Sequence, residues 1–476
     1  MNIIGRKEEK KILTDCMESG RPEFMVVYGR RRIGKTFLIR EYFDRRFSFY
    51  ATGVNQASMS EQLDYFGESL KEYGCEEKDP PKNWREAFAR LRKLLESENV
   101  MRDPITGRRV VFLDELPWMD TPRSNFKTAL DHFWNFWASS QQDILLIVCG
   151  SATSWIIGNI LSDKGGFYNR VTRQMHLMPF TLAECAEFFR AEGIEMGDHD
   201  IITSYMIFGG VPYYMGLFSR RMSLAQNIET LVFSEKGQLN NEFERSFQSL
   251  FRNPHKHFAI IKALAKKRTG MTRKEVSSEV GIADGALLTK ALCELEQCGF
   301  IRKYNDFTKS EKGFYFQITD PFTLFCLTFL KKKMLSSWTK HLGTPGYYSW
   351  SGFAFETVCL NHVAQIKAAL GISGIESSEY AWRSSKLAPG AQIDLLIDRA
   401  DGVINVCEMK HSLGPFTIDD AYAGVLENKM EVFRRETKTR KALHLTMVTS
   451  GGLSRGGHRG MVVNEIKLED LFERMY

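Results

Sequence analysis

The chain has 476 residues, 43% hydrophobic and 26% charged, which supplies apolar material for about three globular cores. Its net charge of +6, with acids and bases interspersed, permits nucleic-acid binding without demanding it. Nine cysteines without a Cys-x-x-Cys pair argue against a zinc or disulfide framework, and no secretory signal or apolar run of roughly 18–20 residues is present, so a reducing cytoplasm and no membrane partner are expected.

From the N-terminus, Asn2 to Gly20 carries Ile3, Ile4, Ile12, Leu13 and Cys16 on a helical spacing that stops before Pro22. Phe24–Tyr28 is an apolar run of strand length. It leads into Gly29, Arg30, Arg31, Arg32, Ile33, Gly34, Lys35 and Thr36, and then into helical Phe37–Arg40. Two glycines at this spacing let successive backbone N–H groups turn inward around phosphate oxygens, while the following helix presents its positive end. Lys35 is placed to reach the β- and γ-phosphates and the Thr36 hydroxyl to ligate Mg²⁺, so this stretch predicts a nucleoside triphosphate site.

Ser48–Ala51 reads as a second strand, Met59–Tyr73 and Trp84–Leu95 as helices, and Val110–Leu113 as a strand tipped by Asp114 and Glu115. Asp114 is expected to hold the Mg²⁺ shell and Glu115 to orient the attacking water. Paired acids favour hydrolysis over transfer to a bound acceptor, which leaves a small-molecule kinase as the weaker reading. Aromatic residues at helical spacing over Asn125–Ser139 belong to a core. Ile144–Cys149 is a third buried strand, followed by Gly150 and Ser151; Ser151 suits contact with the γ-phosphate or lytic water, and equally an N-cap. Arg170 and Arg173, in a loop hinged at Gly165 and Gly166, are candidates to stabilise transition-state charge. Thr181–Glu184 forms a capping box, and Phe208–Tyr214 a compact Gly-Gly turn.

The combination GRRRIGKT, VVFLDELPW, CGSATSW, NR…LMPF and GGVPYY resembles the archaeal-type AAA+ ATPase family, also common in bacteria. The resemblance implies ATP as the nucleotide, an α/β parallel-sheet core over residues 1–180, a helical lid over 181–250, and homo-oligomers through the AAA+ modules. Arg170 falls where the family's post-sensor arginine lies.

Residues 251–330 change character. An amphipathic helix from Phe258, a capped helix from Thr272 to Gly281, a third helix from Asp284 to Cys298 and a hairpin over Phe300–Tyr304 and Phe314–Ile318 resemble a winged helix-turn-helix domain. Thr289 and Lys290 lie on the exposed face of the third helix, but Glu294 and Glu296 share that helix; DNA reading and a linker role both stay open.

Residues 345–476 carry a second constellation. A helix from Phe353 bears Glu356, and strands Gln392–Ile397 and Val403–Lys410 are joined by a turn at Asp401-Gly402. A hairpin there sets Glu408 opposite Asp394, with Lys410 on the same face as Glu408. Converging carboxylates bind Mg²⁺, and a neighbouring lysine orients water. The pattern resembles the PD-(D/E)XK restriction-endonuclease-like nucleases, with Asp394, Glu408, Lys410 and Glu356 on the motif and Ile393 where the family carries proline. The resemblance implies an α/β nuclease fold, Mg²⁺ or Mn²⁺ at this site, and double-stranded DNA as partner. The rival expectation is an ATP-dependent regulator or defence switch whose C-terminal domain binds without cutting.

Overall fold

The computed structural model describes residues 3–162, 167, 169–251, 253–307, 314–330, 337–384 and 390–474. They divide into two compact units, Met1–Met178 and Pro179–Tyr476. Gly165 and Gly166, expected as a loop hinge, lie outside the described residues.

In the first unit α1 (Lys7–Glu18) leads into β1 (Glu23–Tyr28), α2 (Lys35–Tyr42), β2 (Phe49–Thr52), α3 (Met59–Glu72) and α4 (Trp84–Glu96). Then follow β3 (Arg109–Asp114), α5 (Phe126–Phe136), β4 (Ile144–Gly150) and β5 (Arg173–His176). The five strands are parallel, in the order β2-β3-β4-β1-β5. Because helices cover both faces, β3 and β4 are buried along their whole length, which is why they read as unbroken apolar runs. Phe24, Val111 and Leu146 pack under α3, α4 and α5, while Met25, Phe112 and Ile147 pack under α1 and α2. The aromatic helix α5 buries Phe126, Phe133 and Trp134 in the first of these cores.

Parallel register sends every strand's C-terminal end to one edge. Tyr28 pairs with Gly150 and Leu113 with Val148, so residues 29–36, Asp114 and Ser151 emerge there together. The sequence reading of Arg173 as a loop residue needs correction. Arg173 opens β5 and pairs with Met25, and its guanidinium lies 3.9 Å from the carboxylate of fully buried Glu23. That counter-charge fixes the residue at the opposite edge of the sheet.

The second unit begins with α6 (Leu182–Ala191) and α7 (Asp198–Phe208). After shorter helices come α8 (Pro254–Lys266), β6 (Met271–Thr272), α9 (Arg273–Val280), α10 (Ala286–Gln297), β7 (Ile301–Asn305) and β8 (Phe314–Ile318). Beyond α11 (Pro321–Phe329) and α12 (Pro345–Asn361) lie β9 (Ser377–Arg383), β10 (Gln392–Arg399), β11 (Val403–Lys410), α13 (Asp420–Thr437), β12 (Ala442–Thr449) and β13 (Asn464–Ile466). The small sheet runs β6-β8-β7 and is antiparallel; the large one runs β13-β12-β11-β10-β9, antiparallel from β9 to β11 and parallel from β11 to β13. Helix α12 starts at Pro345 rather than at the expected Phe353, since Thr344 caps it through the Tyr347 amide and Pro345 needs no N–H partner in the first turn.

The largest apolar core of this unit runs from Phe180 to Leu471, and two smaller ones, around Trp382 and Phe433 and around Ile418 and Met447, lie between the large sheet and α13. Hydrogen bonds between distant segments also hold its parts together. The Leu182 amide donates to Nε2 of buried His362 at 3.0 Å. Just past β7, Asp306 forms a parallel bridge with Ala381, and the Phe307 amide donates to the Ala381 carbonyl at 3.0 Å. Among the described residues no helix is long and apolar enough to cross a membrane.

Candidate functional site

Gly29 adopts φ +146°, and a Cβ there would stand 2.3 Å from the Leu177 carbonyl oxygen, so no other residue can make this turn unchanged. Gly34, at φ +89°, opens α2. Between them Ile33 is buried and anchors the loop in the core, with its carbonyl accepting from Arg6 Nη2 at 3.2 Å. Arg30 is buried as well, whereas Arg31 and Arg32 are partly exposed, Arg32 at φ +71°. Lys35 is 5% exposed and its ammonium donates to the carbonyls of Gly29 at 3.0 Å and Arg30 at 2.8 Å, so it sits inside the curl of the loop. Thr36 Oγ1 donates to Asp114 Oδ2 at 2.8 Å, which joins the two oxygen ligands expected of Mg²⁺. A buried ammonium in a glycine-bounded loop at the start of a helix, beside a hydroxyl–carboxylate pair, is a set of groups that fits a Mg²⁺-bound triphosphate.

Glu115 takes the left-handed conformation, φ 45° and ψ 44°, which turns its side chain from β3 toward the tip of β4. Its Oε2 accepts from the Ser151 amide at 3.2 Å and from Ser151 Oγ at 2.9 Å. Burial raises the Glu115 carboxyl above its ordinary range, Lys35 opposes this, and Asp114 adds to it. Two glycines leave room for the turn: a Cβ on Gly53 would lie 2.5 Å from the Glu115 carbonyl, and one on Gly150 would lie 2.6 Å from Cδ of Pro117. Ser151 therefore bonds the acid rather than standing alone at the strand tip.

Arg170 is exposed in the turn before β5, its amide bonded to the Phe167 carbonyl at 3.0 Å. Since Thr172 and Arg173 meet β1 at Phe24 and Met25, this turn lies at the sheet edge opposite the phosphate loop. The structure thus gathers residues 29–36, Asp114, Glu115 and Ser151, and leaves Arg170 apart from them. Arg6 had no sequence signal that set it off from its charged neighbours.

The second site lies on β10, β11 and α12. Leu395 pairs with Cys407 and Leu396 with Val406, so Asp394 and Glu408 both adjoin the same end of this paired stretch. Asp394 Oδ1 accepts from Gln392 Nε2 at 2.6 Å. Burial, then the charges of Asp394 and Glu408, push the Glu356 carboxyl up to about 8. Glu408 behaves oppositely: burial would raise it, but Lys429, Lys410 and the Tyr422 hydroxyl hold it below the usual range. Lys429 Nζ donates to Glu408 Oε2 at 2.6 Å, Tyr422 OH to Oε1, and Lys410 Nζ lies 3.3 Å from Oε1. Among the described residues no three His, Cys, Asp or Glu side chains stand close enough together to hold a metal as placed. The mutual repulsion felt by Glu356 is nonetheless what a divalent cation would relieve, so the charge pattern fits a metal while the present ligand spacing does not complete one. Tyr422 and Lys429 were missed in the sequence; their spacing of seven on α13 puts both on one face, but only the fold aims that face at Glu408.

A glycine-bounded strand-to-helix loop holding a buried ammonium, with an acid pair two strands away at the same edge, is how a P-loop ATPase is built. Residues 4–218 match the family model described as an ATPase domain predominantly from Archaea, and the N-terminal part of this chain carries an ATPase domain of that kind. The chain is 25% identical over 333 residues to an uncharacterized protein of Methanocaldococcus jannaschii, covering 69% of each. Similar solved structures include the Walker-type ATPase of Pyrococcus abyssi, with 18% identity, TM-score 0.48, 68% of this chain and 96% of that one. The ORC2 protein of Aeropyrum pernix in its ADPNP-ADP complexes is also similar, with 15% identity, TM-score 0.40, 68% of this chain and 93% of that one.

Proposed function

We propose that the chain couples ATP hydrolysis in its first unit to metal-dependent phosphodiester cleavage of DNA in its second. In the first unit Lys35 and the residue 29–36 amides hold the triphosphate, Thr36 and Asp114 hold Mg²⁺, and Glu115 aims the water while Ser151 aims Glu115. Mg²⁺, when bound, neutralises charge between the β- and γ-phosphates. Arg170 serves a neighbouring copy, since its own phosphate loop lies at the other edge of the sheet.

In the second unit the reading is of a PD-(D/E)XK-like site: Asp394, Glu408 and Glu356 as ligands of Mg²⁺ or Mn²⁺, and Lys410 as the residue that orients water. The observation that carries it is the β10–β11 hairpin, which brings Asp394 and Glu408 to one end of the paired strands, together with the charge of both acting on Glu356. The helices and small sheet over 251–330 are read as a winged helix-turn-helix that joins the two activities.

The test is plasmid and linear DNA with Mg²⁺ or Mn²⁺, with and without ATP. Metal-dependent cutting that disappears in Asp394→Asn and Lys410→Ala supports the reading. Uncut DNA under every nucleotide state overturns it. A second reading, a regulator that binds without cutting, is favoured by one observation: both Glu408 oxygens already serve Lys429, Tyr422 and Lys410.

A further inference from the structure

Three arginines stand where the small sheet meets the large one, and none forms an ion pair among the described residues. Arg302 on β7 donates through Nε and Nη2 to Gln317 Oε1 at 2.9 and 2.5 Å, with its guanidinium 4.7 Å from the Tyr304 ring. Arg383, the last residue of β9, donates to the Thr269 carbonyl at 3.0 Å and lies 5.4 Å from the Tyr315 ring. Arg268 donates to the Ser349 carbonyl at 3.3 Å and lies 4.9 Å from the Phe353 ring. All three are partly buried, and each spends its hydrogen bonds on neutral acceptors. Among the described residues no carboxylate touches these guanidinium groups, so their donors are not committed to a fixed counter-charge, and planar arginine donors match phosphate oxygens.

Their placement relates them to the carboxylates. Arg383 pairs in register with Gln392, whose amide holds Asp394. Ser349, Phe353 and Glu356 recur at four and three residues on α12, so Arg268 lies along the helix face that ends in Glu356. Tyr304 and Arg383 line one small cavity with Gln392, of about 10 Å³, and Tyr304 shares the Thr269 carbonyl with Arg383. Burial lowers Arg302 and Arg268, while Glu356 favours the charge of both and Asp394 that of Arg302.

We propose that Arg268, Arg302 and Arg383 form a phosphodiester-binding rim beside Asp394 and Glu356, making the nucleic-acid site composite: two arginines come from the 251–330 module and one from the C-terminal sheet. The module is then a wall of the site rather than a spacer. The inference rests on the carboxylates facing nucleic acid, but it does not need them to cut it.

The experiment is fluorescence anisotropy of a labelled DNA duplex, and of one of its strands alone, with the full-length chain in EDTA over a range of salt. Each Arg→Gln change should weaken binding and lower the slope of log affinity against log salt by about 1, and the triple variant by about 3, on the duplex. Arg→Lys changes should keep the slope, which separates lost charge from lost fold. Asp394→Asn should tighten binding, because the carboxylate repels the phosphate when no metal is present. Arg435→Gln, a change in an exposed pair with Glu431 on α13, is the control for general charge and should leave the slope unchanged. Wild-type slope in the triple variant, an equal loss in Arg435→Gln, or no binding of either probe by the wild type overturns the proposal. A chain that binds through these arginines yet never cuts removes the nuclease reading alone; one that cuts as well without them removes the rim alone.

Discussion

A carboxylate that activates water, the role proposed for Glu115, depends on both its charge and its aim. Burial lifts its proton affinity, and Ser151 fixes Oε2 with two donors. Glu115→Gln should keep ATP affinity and lower kcat by about 10²–10⁴, the usual worth of a positioned base. Ser151→Ala removes one of the two donors and should lower kcat by about tenfold, near the value of a single hydrogen bond to a charged group. Lys35→Ala should instead abolish nucleotide binding, measured by titration calorimetry. His362 gives a pH prediction. Its Nε2 accepts from Leu182, so Nδ1 carries the proton and donates to the Val358 carbonyl at 2.8 Å. Burial lowers its pKa to about 4 from 6.5. The neutral ring's contribution is complete above pH 6.5 and is lost as the pH falls toward 4, in total roughly 3 kcal/mol. Denaturant midpoints should fall between pH 7 and pH 5 in the wild type and fall less in His362→Gln; an identical drop in both would remove His362 from the effect.

The aim of Glu115 is also a property of elements, because the turn after β3 is seated against the tip of β4. Gly150→Ala drives a Cβ into Pro117 and should cost turnover while nucleotide affinity stays within about threefold; unchanged turnover would show that the turn relaxes freely. Elements of this kind were legible wherever burial repeats along the chain. β1, β3 and β4 are covered on both faces and so appear as apolar runs, and the β10–β11 hairpin followed from a tight turn and a period of two. Edge strands gave no such sign. β5 reads RQMH and β9 reads SSEYAWR, each with only one residue buried, and the partner strand rather than their own pattern makes them strands. The early start of α12 was readable in principle, since Thr344-Pro345 is a cap followed by a proline at the first position. The arginine rim was not, because it joins residues more than a hundred positions apart.

At the scale of the whole molecule, the placement of Arg170 bears on assembly. If it completes a neighbour's site, Lys35→Ala and Arg170→Ala chains should each be inactive, and mixing them should restore part of the turnover, since one partner supplies the arginine and the other the phosphate loop. Arg170→Ala alone should lower kcat by about 10³. Mixtures no faster than their parts would mean that the arginine does not act between copies. The His362–Leu182 bond has its own consequence, for synthesis on the ribosome. The sheet of the first unit draws all its strands from residues 23–176, so it is complete as soon as that stretch has emerged. The Leu182 amide at the start of α6 must wait for its acceptor 180 positions later, about 10–40 s at ordinary elongation rates. During that interval the completed first sheet trails a segment rich in Phe and Ile whose core does not yet exist, so limited proteolysis of stalled nascent chains should cut after residue 178 and spare the first unit.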